Sequence, residues 1–488
     1  MVSVNKNKSS IASGLLWAFG ERISAQLVSL VVAILLARLL DPEHYALVAV
    51  VTIFITIANT FVTSGFGNSL IQKKDADELD FSTTFVFSLG LAVILYGVLF
   101  AIAPLVSNFY NDDALTLILR VMSLRIIIAS INSIQHAYVS KQMAFRKFFF
   151  STLVGTIFSA IVGIFLAYKG YGVWALVAQY LTNTTIDTIV LSFTSGWIPS
   201  FRMSFQRMKR LYSYGWKLLV SDLLGTIYEQ LRALVLSKGF LPTELSFYNQ
   251  GEKYPAIFIN NVEASMHKVL FQALSDSQDD FNKIKNITRN TIRMSIFILC
   301  PIFFGLAACG DSLIRILLTD KWLPCVPYMQ IVCTLYLVHP IFSAHTRVLK
   351  AIGKSGKFMF LTIIRYTIGI LFLVFSILYF AEPHVVIFSS VVTMVVITLL
   401  CGWISREEIS YTLQEQVQDV VPSVFCGLLM FVCVYFFCSC FENVFWTFAL
   451  QVIVGAISYV LFSFILNREM FQFASNLVNS KMKRMGKK

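Results

Sequence analysis

Charged side chains occur inside long apolar segments of this sequence. An ionised side chain at the centre of a bilayer costs about 2.5–3.5 kcal/mol on insertion scales, so it is retained where it faces a polar cavity or a partner. The residues concerned are Glu21, Arg22, Arg120, Arg125, Asp187, Lys217, Asp222, Glu229, Arg232 and Arg365. This pattern predicts a hydrated cavity that holds a charged cargo, with salt bridges that only fix helix packing as the alternative.

Four arginines are the candidate cargo-binding residues. Arg22, Arg125 and Arg365 have no partner that the sequence indicates, and the planar guanidinium group matches the oxygens of phosphate or carboxylate groups. Arg232 lies three residues after Glu229, so it either pairs with that carboxylate or joins the cavity. Unpaired cations at membrane depth indicate an anionic cargo.

Two carboxylates of the seventh apolar segment are candidates for ion coupling. Asp222 and Glu229 are seven residues apart, so they share one face of a helix. Asp222 also occupies the place that Arg22 has in the first segment. A carboxylate there can take up a proton when its surroundings become dry, because desolvation disfavours the charged form, or it can bind sodium. The alternative is that Glu229 stays paired with Arg232 and serves packing alone.

Other kinds of chemistry are not indicated. The sequence has no glycine-rich phosphate loop, so we expect no ATP hydrolysis, and no Ser-His-Asp set falls in a watery pocket. His339 and His345 lie on one segment and are predicted to form a satisfied polar pair at a helix interface, with a functional site as the alternative. The cysteines show no metal-ligand spacing. We therefore expect no enzymatic activity, no cofactor and no metal.

An internal repeat positions these charges. The stretch 211–250 is similar to 13–50, and Lys238 and Arg38 each lie four residues before a proline. The same offset of 200 residues relates Pro42 to Pro242, Gln72 to Gln272, Asp80 to Asp280 and Phe81 to Phe281. A duplicated half in an apolar chain is typical of transporters.

Composition places both copies in a membrane. Of 488 residues, 57% are hydrophobic and 14% are charged, and the mean hydropathy is +0.72. Windows of about 20 apolar residues predict about fourteen transmembrane helices. They lie near 13–39, 43–66, 81–106, 114–139, 148–168, 171–193, 211–237, 244–272, 287–309, 325–352, 357–380, 383–404, 418–440 and 444–466. The net charge of +12 reflects basic cytoplasmic connections, so no nucleic-acid partner is expected.

Basic and acidic connections alternate, and this alternation predicts the topology. Lys and Arg gather in connections such as 202–210 and in the tail 481–488, which places both termini in the cytoplasm. Each half has an even number of helices, so the halves are parallel repeats. We predict an all-α polytopic membrane protein with six-helix lobes at 1–200 and 201–405, and two further transmembrane helices with a basic tail at 406–488.

Four short motifs resemble those of a known family. The sequence ARLLDPE at 37–43 is similar to the ARLLxPxxxG signature of polysaccharide flippases, which belong to the multidrug/oligosaccharidyl-lipid/polysaccharide exporter superfamily. The sequence KGFLP at 238–242 resembles the matching motif of the second half. AFRK at 144–147 and LTDKW at 318–322 resemble two further motifs, the first of them from the lipopolysaccharide-exporter branch.

This resemblance implies a bacterial inner-membrane flippase. Its cargo would be an oligosaccharide on undecaprenyl diphosphate, such as an O-antigen or exopolysaccharide repeat unit, moved from the cytoplasmic to the periplasmic leaflet. The resemblance also implies a V-shaped cavity between the halves and a hydrophobic groove at 418–466 for the lipid tail. The expected partners are the lipid-linked oligosaccharide, membrane lipid, H+ or Na+, and polysaccharide polymerase or assembly proteins.

Two other functions are compatible with a chain of this class. A drug or metabolite antiporter of the same superfamily would lack the last two helices and the four motifs. A membrane-embedded polysaccharide polymerase or ligase would need a long periplasmic loop with catalytic Arg or His, whereas all predicted loops are short.

Overall fold

The secondary structure of the part of the chain that the structure describes is helical, and no strand occurs there. The structure is a computed structural model that describes residues 26–63, 70, 76–142, 144–197, 199–275, 281–436, 443–473 and 475–476. The first helices are α1 (Gln26–Leu39), α2 (Pro42–Thr63), α3 (Glu78–Tyr110), α4 (Ala114–Met122), α5 (Leu124–Lys141), α6 (Phe145–Tyr168), α7 (Val173–Ser195) and α8 (Phe205–Gly239). They are followed by α9 (Pro242–Ser275), α10 (Phe281–Ala308), α11 (Gly310–Leu317), α12 (Cys325–Ala351), α13 (Ser355–Tyr379), α14 (Pro383–Ile409), α15 (Leu413–Phe436) and α16 (Val444–Leu466).

Several helices of the described chain have the length and apolar composition of membrane-spanning helices. Ten spans, with α4 and α5 counted as one, are long and apolar enough to cross a membrane. This confirms the predicted all-α polytopic membrane fold. The other four predicted spans coincide with α1, which is described only from Gln26, and with α7, α8 and α9, which carry more polar residues. The count of about fourteen transmembrane helices remains a prediction.

The chain divides into two compact units, 1–246 and 247–488. The core of the first unit includes Val51, Leu119, Ile126 and Leu176. The core of the second includes Ile292, Cys300, Val348 and Met430. Each core joins several helices through apolar side chains. In this way a helix bundle buries the helix faces that do not contact lipid. The division into two six-helix lobes and a C-terminal pair remains a prediction.

Helix α8, the first helix of the second repeat, packs against α2 and α3 in the first unit. At its N-terminal end, Arg207 lies 2.5 Å from Oδ1 of Asp77 and 3.3 Å from Oδ1 of Asp80. Asp77 and Asp80 form the capping box of α3, in which each side chain accepts a hydrogen bond from the backbone N–H of the other residue. One arginine thus joins the start of α8 to the start of α3.

Two further contacts attach α8 at other levels. The hydroxyl of Thr226 lies 3.2 Å from that of Thr60 on α2. Near the C-terminal end of α8, the hydroxyl of Ser237 lies 2.8 Å from that of Tyr110, the last residue of α3. Helix α8 is therefore held to the first unit along its length by side chains that are far apart in sequence.

The contact between Asp77 and Arg207 gives a prediction about pH. The hydrogen bond from Arg207 lowers the pKa of Asp77 from 3.8 to about 2. A carboxyl group whose pKa is lowered on folding stabilises the fold above its ordinary pKa of 3.8, and this contribution is lost as the pH falls through about 2. With spin labels at Glu78 and Gln206, we expect the α3–α8 distance to stay constant between about pH 8 and about pH 5.

The matched variants for this measurement are Arg207→Gln and Arg202→Gln. Arg207→Gln removes the ion pair, so its distance distribution should broaden at neutral pH. Arg202 is exposed just before α8, and its replacement should leave the distribution unchanged. A parent distribution that already broadens at about pH 5, or a parent-like distribution in Arg207→Gln, would contradict the prediction.

Candidate functional site

A cation on α5 of the first unit contacts a hydroxyl group and an aromatic ring. Helix α5 starts after a break at Ser123, whose hydroxyl donates to the carbonyl of Leu119 at 2.6 Å, and Arg125 is its second residue. Nε of Arg125 donates to Oγ1 of Thr184 at 3.0 Å, and the guanidinium lies 5.5 Å from the ring centre of Tyr180. No carboxylate among the described residues contacts Arg125, so its charge is not neutralised there.

A row of polar side chains continues from this arginine between α5 and α7. Nδ2 of Asn132 donates to Oδ2 of Asp187 at 2.8 Å, and Nε2 of His136 lies 3.5 Å from the same oxygen. Gln135 donates to the hydroxyl of Ser192 at 2.7 Å. Hydrogen bonds of this kind join helices inside a membrane, where unsatisfied polar groups are costly. The row gives the first unit a polar path inside an otherwise apolar bundle.

A second polar cluster lies between α9 and α12 in the second unit. The carboxylate of Glu263 accepts a hydrogen bond from the hydroxyl of Ser343 at 2.7 Å and contacts Nδ1 of His339 at 3.3 Å and the guanidinium of Arg347. Nη1 of Arg347 also donates to the backbone carbonyl of Glu263 at 3.2 Å. Because His339, Ser343 and Arg347 are four residues apart, they form one face of α12. We call Glu263, His339, Ser343 and Arg347 the α9–α12 cluster.

The predicted pairing of His339 with His345 is wrong. His345 is completely buried, and its Nδ1 lies 2.8 Å from the hydroxyl of Ser405 while its Nε2 lies 3.2 Å from Oε1 of Gln416. Six residues on an α-helix correspond to faces about 120° apart, so the two imidazoles meet different neighbours. His345 is a satisfied core histidine, whereas His339 belongs to the α9–α12 cluster.

Two more cations lie on the helices of the second unit. The guanidinium of Arg365 on α13 is 5.3 Å from the ring centre of Phe342 on α12. Lys253 is half-buried on α9. Neither forms an ion pair with a carboxylate in the part of the chain that the structure describes. The second unit, like the first, therefore contains positive charge that its own described side chains leave uncompensated.

An apolar cavity of about 370 Å³ lies in the second unit. Its lining comes from α9, α10, α11, α15 and α16 and includes Phe258, Pro301, Gly305, Leu313, Met430 and Val452. The cavity thus adjoins the last two membrane-spanning helices. An unfilled apolar space of this composition suits a hydrocarbon chain rather than water.

Ion pairs fasten α15 to α10 towards the N-terminal ends of both helices. Nε and Nη2 of Arg289 donate to the two carboxylate oxygens of Asp419 at 2.6 and 2.8 Å. The hydroxyl of Tyr411 donates to Asp419 at 2.8 Å, and Lys285 Nζ lies 2.8 Å from Glu415. The bidentate arginine contact fixes the relative orientation of the two helices.

Comparison with known proteins identifies the family. Residues 35–327 match the family described as polysaccharide biosynthesis proteins. The chain belongs to this family. The succinoglycan biosynthesis transport protein ExoT of Rhizobium meliloti (strain 1021) is 21% identical over 359 residues, which are 74% of this chain and 73% of that relative. The lipopolysaccharide biosynthesis protein WzxC of Escherichia coli (strain K12) is 22% identical, and the match covers 67% of each chain.

Two solved structures share the fold of this family member. The lipid II flippase MurJ in an inward closed conformation has a TM-score of 0.76 at 15% identity, and the match covers 93% of this chain and 99% of that chain. An inward-facing multidrug resistance MATE family transporter of the MOP superfamily has a TM-score of 0.63 at 14% identity, with 79% and 94% covered. The predicted family and fold class are confirmed.

The remaining predicted site residues of this polysaccharide biosynthesis protein are distributed as follows. Arg22 lies outside the described residues. Asp222 and Glu229 are exposed on α8, and Thr226 between them contacts Thr60 of α2. Arg232 is half-buried on the same helix. The binding role of Arg22, Arg125, Arg232 and Arg365 and the coupling role of the two carboxylates remain predictions.

Sequence reasoning missed several charged or polar residues that the structure brings together. Glu252, Lys253 and Glu263 all lie within the predicted span 244–272, so counting the charges of that span would have found them. Asn132 and His136 are four residues apart on the predicted fourth span, and this spacing on one helix face was an available signal. Their pairing with Asp187 on another helix was not available from spacing.

Proposed function

We propose that this protein is a flippase that moves a lipid-linked oligosaccharide, a repeat unit for polysaccharide assembly, across the bacterial inner membrane. The observation that carries this proposal is that the guanidinium groups of Arg125 and Arg365 lie on membrane-spanning helices without a carboxylate partner among the described residues. Such a cation is stabilised by an anion that arrives with the cargo. Relatives named for transport in succinoglycan biosynthesis and for lipopolysaccharide biosynthesis support the same cargo class.

The proposed cargo combines three chemical groups, and each has a counterpart in one of the units. Its diphosphate suits the arginines, and its undecaprenyl chain suits the apolar cavity beside α15 and α16. Its sugar hydroxyls suit amide and hydroxyl groups such as those of the row from Thr184 to Ser192. Apolar walls with a few placed polar groups are typical of binding sites that fix the orientation of a ligand.

The direction of transport follows from the proposed topology. With both termini in the cytoplasm, the cargo is loaded from the cytoplasmic leaflet and released to the periplasmic leaflet by alternating access. H+ or Na+ supplies the coupling ion in this proposal, and a polysaccharide polymerase or assembly protein receives the cargo. No catalytic step is assigned to the protein.

A flipping assay in proteoliposomes tests this function. An undecaprenyl-diphosphate oligosaccharide with a fluorescent group on its sugar is reconstituted with the purified protein, and a membrane-impermeant quencher reports the outer leaflet. We expect the quenched fraction to rise with time in vesicles that contain the protein. Protein-free vesicles provide the blank. Equal kinetics in both kinds of vesicle, together with uptake of a cationic drug by the protein, would overturn the proposal in favour of a drug antiporter.

Filling the apolar cavity gives a second prediction. The Cβ of a residue at position 305 would meet only the terminal methyl of Met430, at 3.9 Å, so Gly305→Phe can place its ring in the cavity. We expect this variant to slow flipping of the undecaprenyl cargo by roughly tenfold, because about 1–2 kcal/mol of apolar contact with the tail is lost.

The matched control for the filled cavity is Ile298→Phe. Ile298 lies on the same helix α10 but is 44% exposed, so the added ring points away from the bundle core. Flipping should stay at the parent rate in this variant. A Gly305→Phe protein that flips the cargo at the parent rate would show that the cavity does not hold the tail.

A further inference from the structure

The α9–α12 cluster contains one ionisable group more than is needed for neutrality. The carboxylate of Glu263 and the guanidinium of Arg347 are in contact and cancel each other's charge. His339 then decides the net charge, which is zero when the ring is neutral and one positive charge when it is protonated. In the neutral ring, Nδ1–H can donate to Oε1 of Glu263 at 3.3 Å, which leaves Nε2 to accept a proton. The cluster can therefore bind a proton without breaking its ion pair.

The depth of the cluster suits an ion carried across the membrane. His339 lies 12 residues before the end of α12 at Ala351, and Glu263 lies 12 residues before the end of α9 at Ser275. At 1.5 Å per residue, each is about 18 Å from the end of its helix, close to the middle of a bilayer core about 30 Å thick. The side chain of His339 is 32% exposed, so the imidazole is not sealed inside the helix bundle.

Helix α12 has a point beside the cluster at which it can bend. Pro340 follows His339 directly and has no N–H for the carbonyl of Tyr336, so α12 has a weak point at this level. Towards the start of the two helices the contact is tight, since a Cβ on Gly251 would lie 2.6 Å from the carbonyl oxygen of Cys325. The tight contact at one end and the missing hydrogen bond at Pro340 allow α12 to bend at the level of His339, while the ion pair between Glu263 and Arg347 keeps α9 and α12 joined.

We propose that His339, held by Glu263, is the proton-binding site that couples this protein to the proton gradient. The inference rests on the proposed flippase function and adds the identity and place of the coupling ion. A proton binds Nε2 of His339 when the cluster is open to the acidic periplasm and leaves when the cluster faces the cytoplasm. No covalent step is involved, and the ion pair between Glu263 and Arg347 persists throughout.

Several of the other charged residues on helices that contact α12 have partners of their own. Helices α10, α11, α13 and α14 pack against α12, and α9 contacts it through the cluster. Besides the members of the cluster, their described charged residues, with Lys350 of α12, are Glu244, Glu252, Lys253, Lys283, Lys285, Arg289, Arg293, Asp311, Arg315, Lys350, Lys357, Arg365, Arg406, Glu407 and Glu408. Glu252 accepts from Tyr336, Arg289 pairs with Asp419, and Lys357 pairs with Glu407 and Glu408. Among the described groups, Glu263 is the carboxylate in contact with His339.

The test compares flipping in proteoliposomes with and without an imposed pH gradient. The parent protein is expected to flip the undecaprenyl-diphosphate oligosaccharide faster when the gradient is present. In His339→Asn the ratio of the two rates should fall to about one. The matched control is His136→Asn, which changes the histidine–carboxylate contact of the first unit and should keep the parent ratio.

The possible outcomes separate this inference from the proposed function. A parent protein that does not flip the cargo refutes the function. A parent that flips the cargo without responding to the pH gradient refutes the coupling inference and leaves the function standing. A His339→Asn protein that keeps the gradient response, or a loss of the response in His136→Asn instead, also refutes the assignment to His339.

A second measurement does not depend on transport. The chain has only 6 histidines, so nitrogen-15 spectra of the histidine-labelled protein in detergent micelles are simple enough to assign. Among the imidazole signals that change with pH in the parent, we expect one to be missing in His339→Asn. If every pH-dependent signal of the parent persists in the variant, His339 does not bind the proton.

Discussion

Replacing Arg125 by alanine should slow flipping of the lipid-linked oligosaccharide by roughly ten- to a hundredfold while the protein remains in the membrane. A charge-assisted hydrogen bond to the diphosphate contributes about 1.5–3 kcal/mol, which corresponds to a loss of roughly ten- to a hundredfold in rate. Arg125→Lys should recover only part of it, because an ammonium group cannot keep the Nε contact to Thr184 while it binds phosphate oxygens in a bidentate way. The flipping assay measures the rate, and membrane fractionation measures the protein level.

The matched control for Arg125 is Arg120, which lies five residues earlier. Its Nε donates to the carbonyl of Phe100 at 3.3 Å, and its guanidinium lies 4.1 Å from the ring centre of the same residue. Arg120→Ala therefore removes a guanidinium that already contacts Phe100 from the last turn of α4. The flipping rate of this variant should stay near that of the parent. Parent-like flipping in Arg125→Ala would rule out a role for this cation in binding the cargo.

Replacing Asp419 by asparagine should lower the free energy of unfolding more than replacing any other residue in the ion pairs between α10 and α15. The side chain of Asp419 is 3% exposed and accepts hydrogen bonds from Arg289 and Tyr411, and it lies 3.6 Å from Nε of Arg293. Removing one partner of a buried ion pair costs about 3–5 kcal/mol, because it leaves an uncompensated charge. Arg289 is 35% exposed, so water solvates its charge and offsets part of this cost. We therefore expect the free energy of unfolding to fall by about 3 kcal/mol.

Thermal unfolding of the protein in detergent measures this effect, with Glu415→Gln as the matched control. Glu415 pairs with Lys285 on the same two helices, but its side chain is 30% exposed. Glutamine also keeps the capping box with Thr412, whose backbone N–H donates to the carboxylate of Glu415 at 2.9 Å. We expect this variant to lose less than about 1 kcal/mol. Equal melting temperatures for Asp419→Asn and Glu415→Gln would contradict the assignment of Asp419 as the main clamp between α10 and α15.

The class of the molecule followed from the sequence because the relevant signals are local. Apolar length alone indicates a membrane-spanning helix, and ten such spans occur among the described residues where the hydropathy placed them. The four motifs are also contiguous stretches, so they identified the family without knowledge of the fold. In contrast, the assignment of the first helix of the second repeat to the second lobe used sequence similarity alone. In the structure this helix contacts Asp77, Thr60 and Tyr110, which belong to the first unit and are far away in the sequence.

The composition of the candidate sites was only partly accessible from the sequence. Charge at membrane depth pointed to Arg125 and Arg365 because each residue carries that signal by itself. The α9–α12 cluster was missed, since Glu263 and His339 are 76 residues apart in the chain and meet only through helix packing.

The sequence by itself determined that this protein is an all-helical membrane protein of a polysaccharide biosynthesis family with many charges in its helices. Only the tertiary structure decided which of these charges are compensated. Arg289 and Arg347 are neutralised by Asp419 and Glu263, whereas Arg125 contacts a hydroxyl and an aromatic ring. The physical reason is that the energy of an ion pair depends on the distance and burial of two side chains, and packing alone sets both.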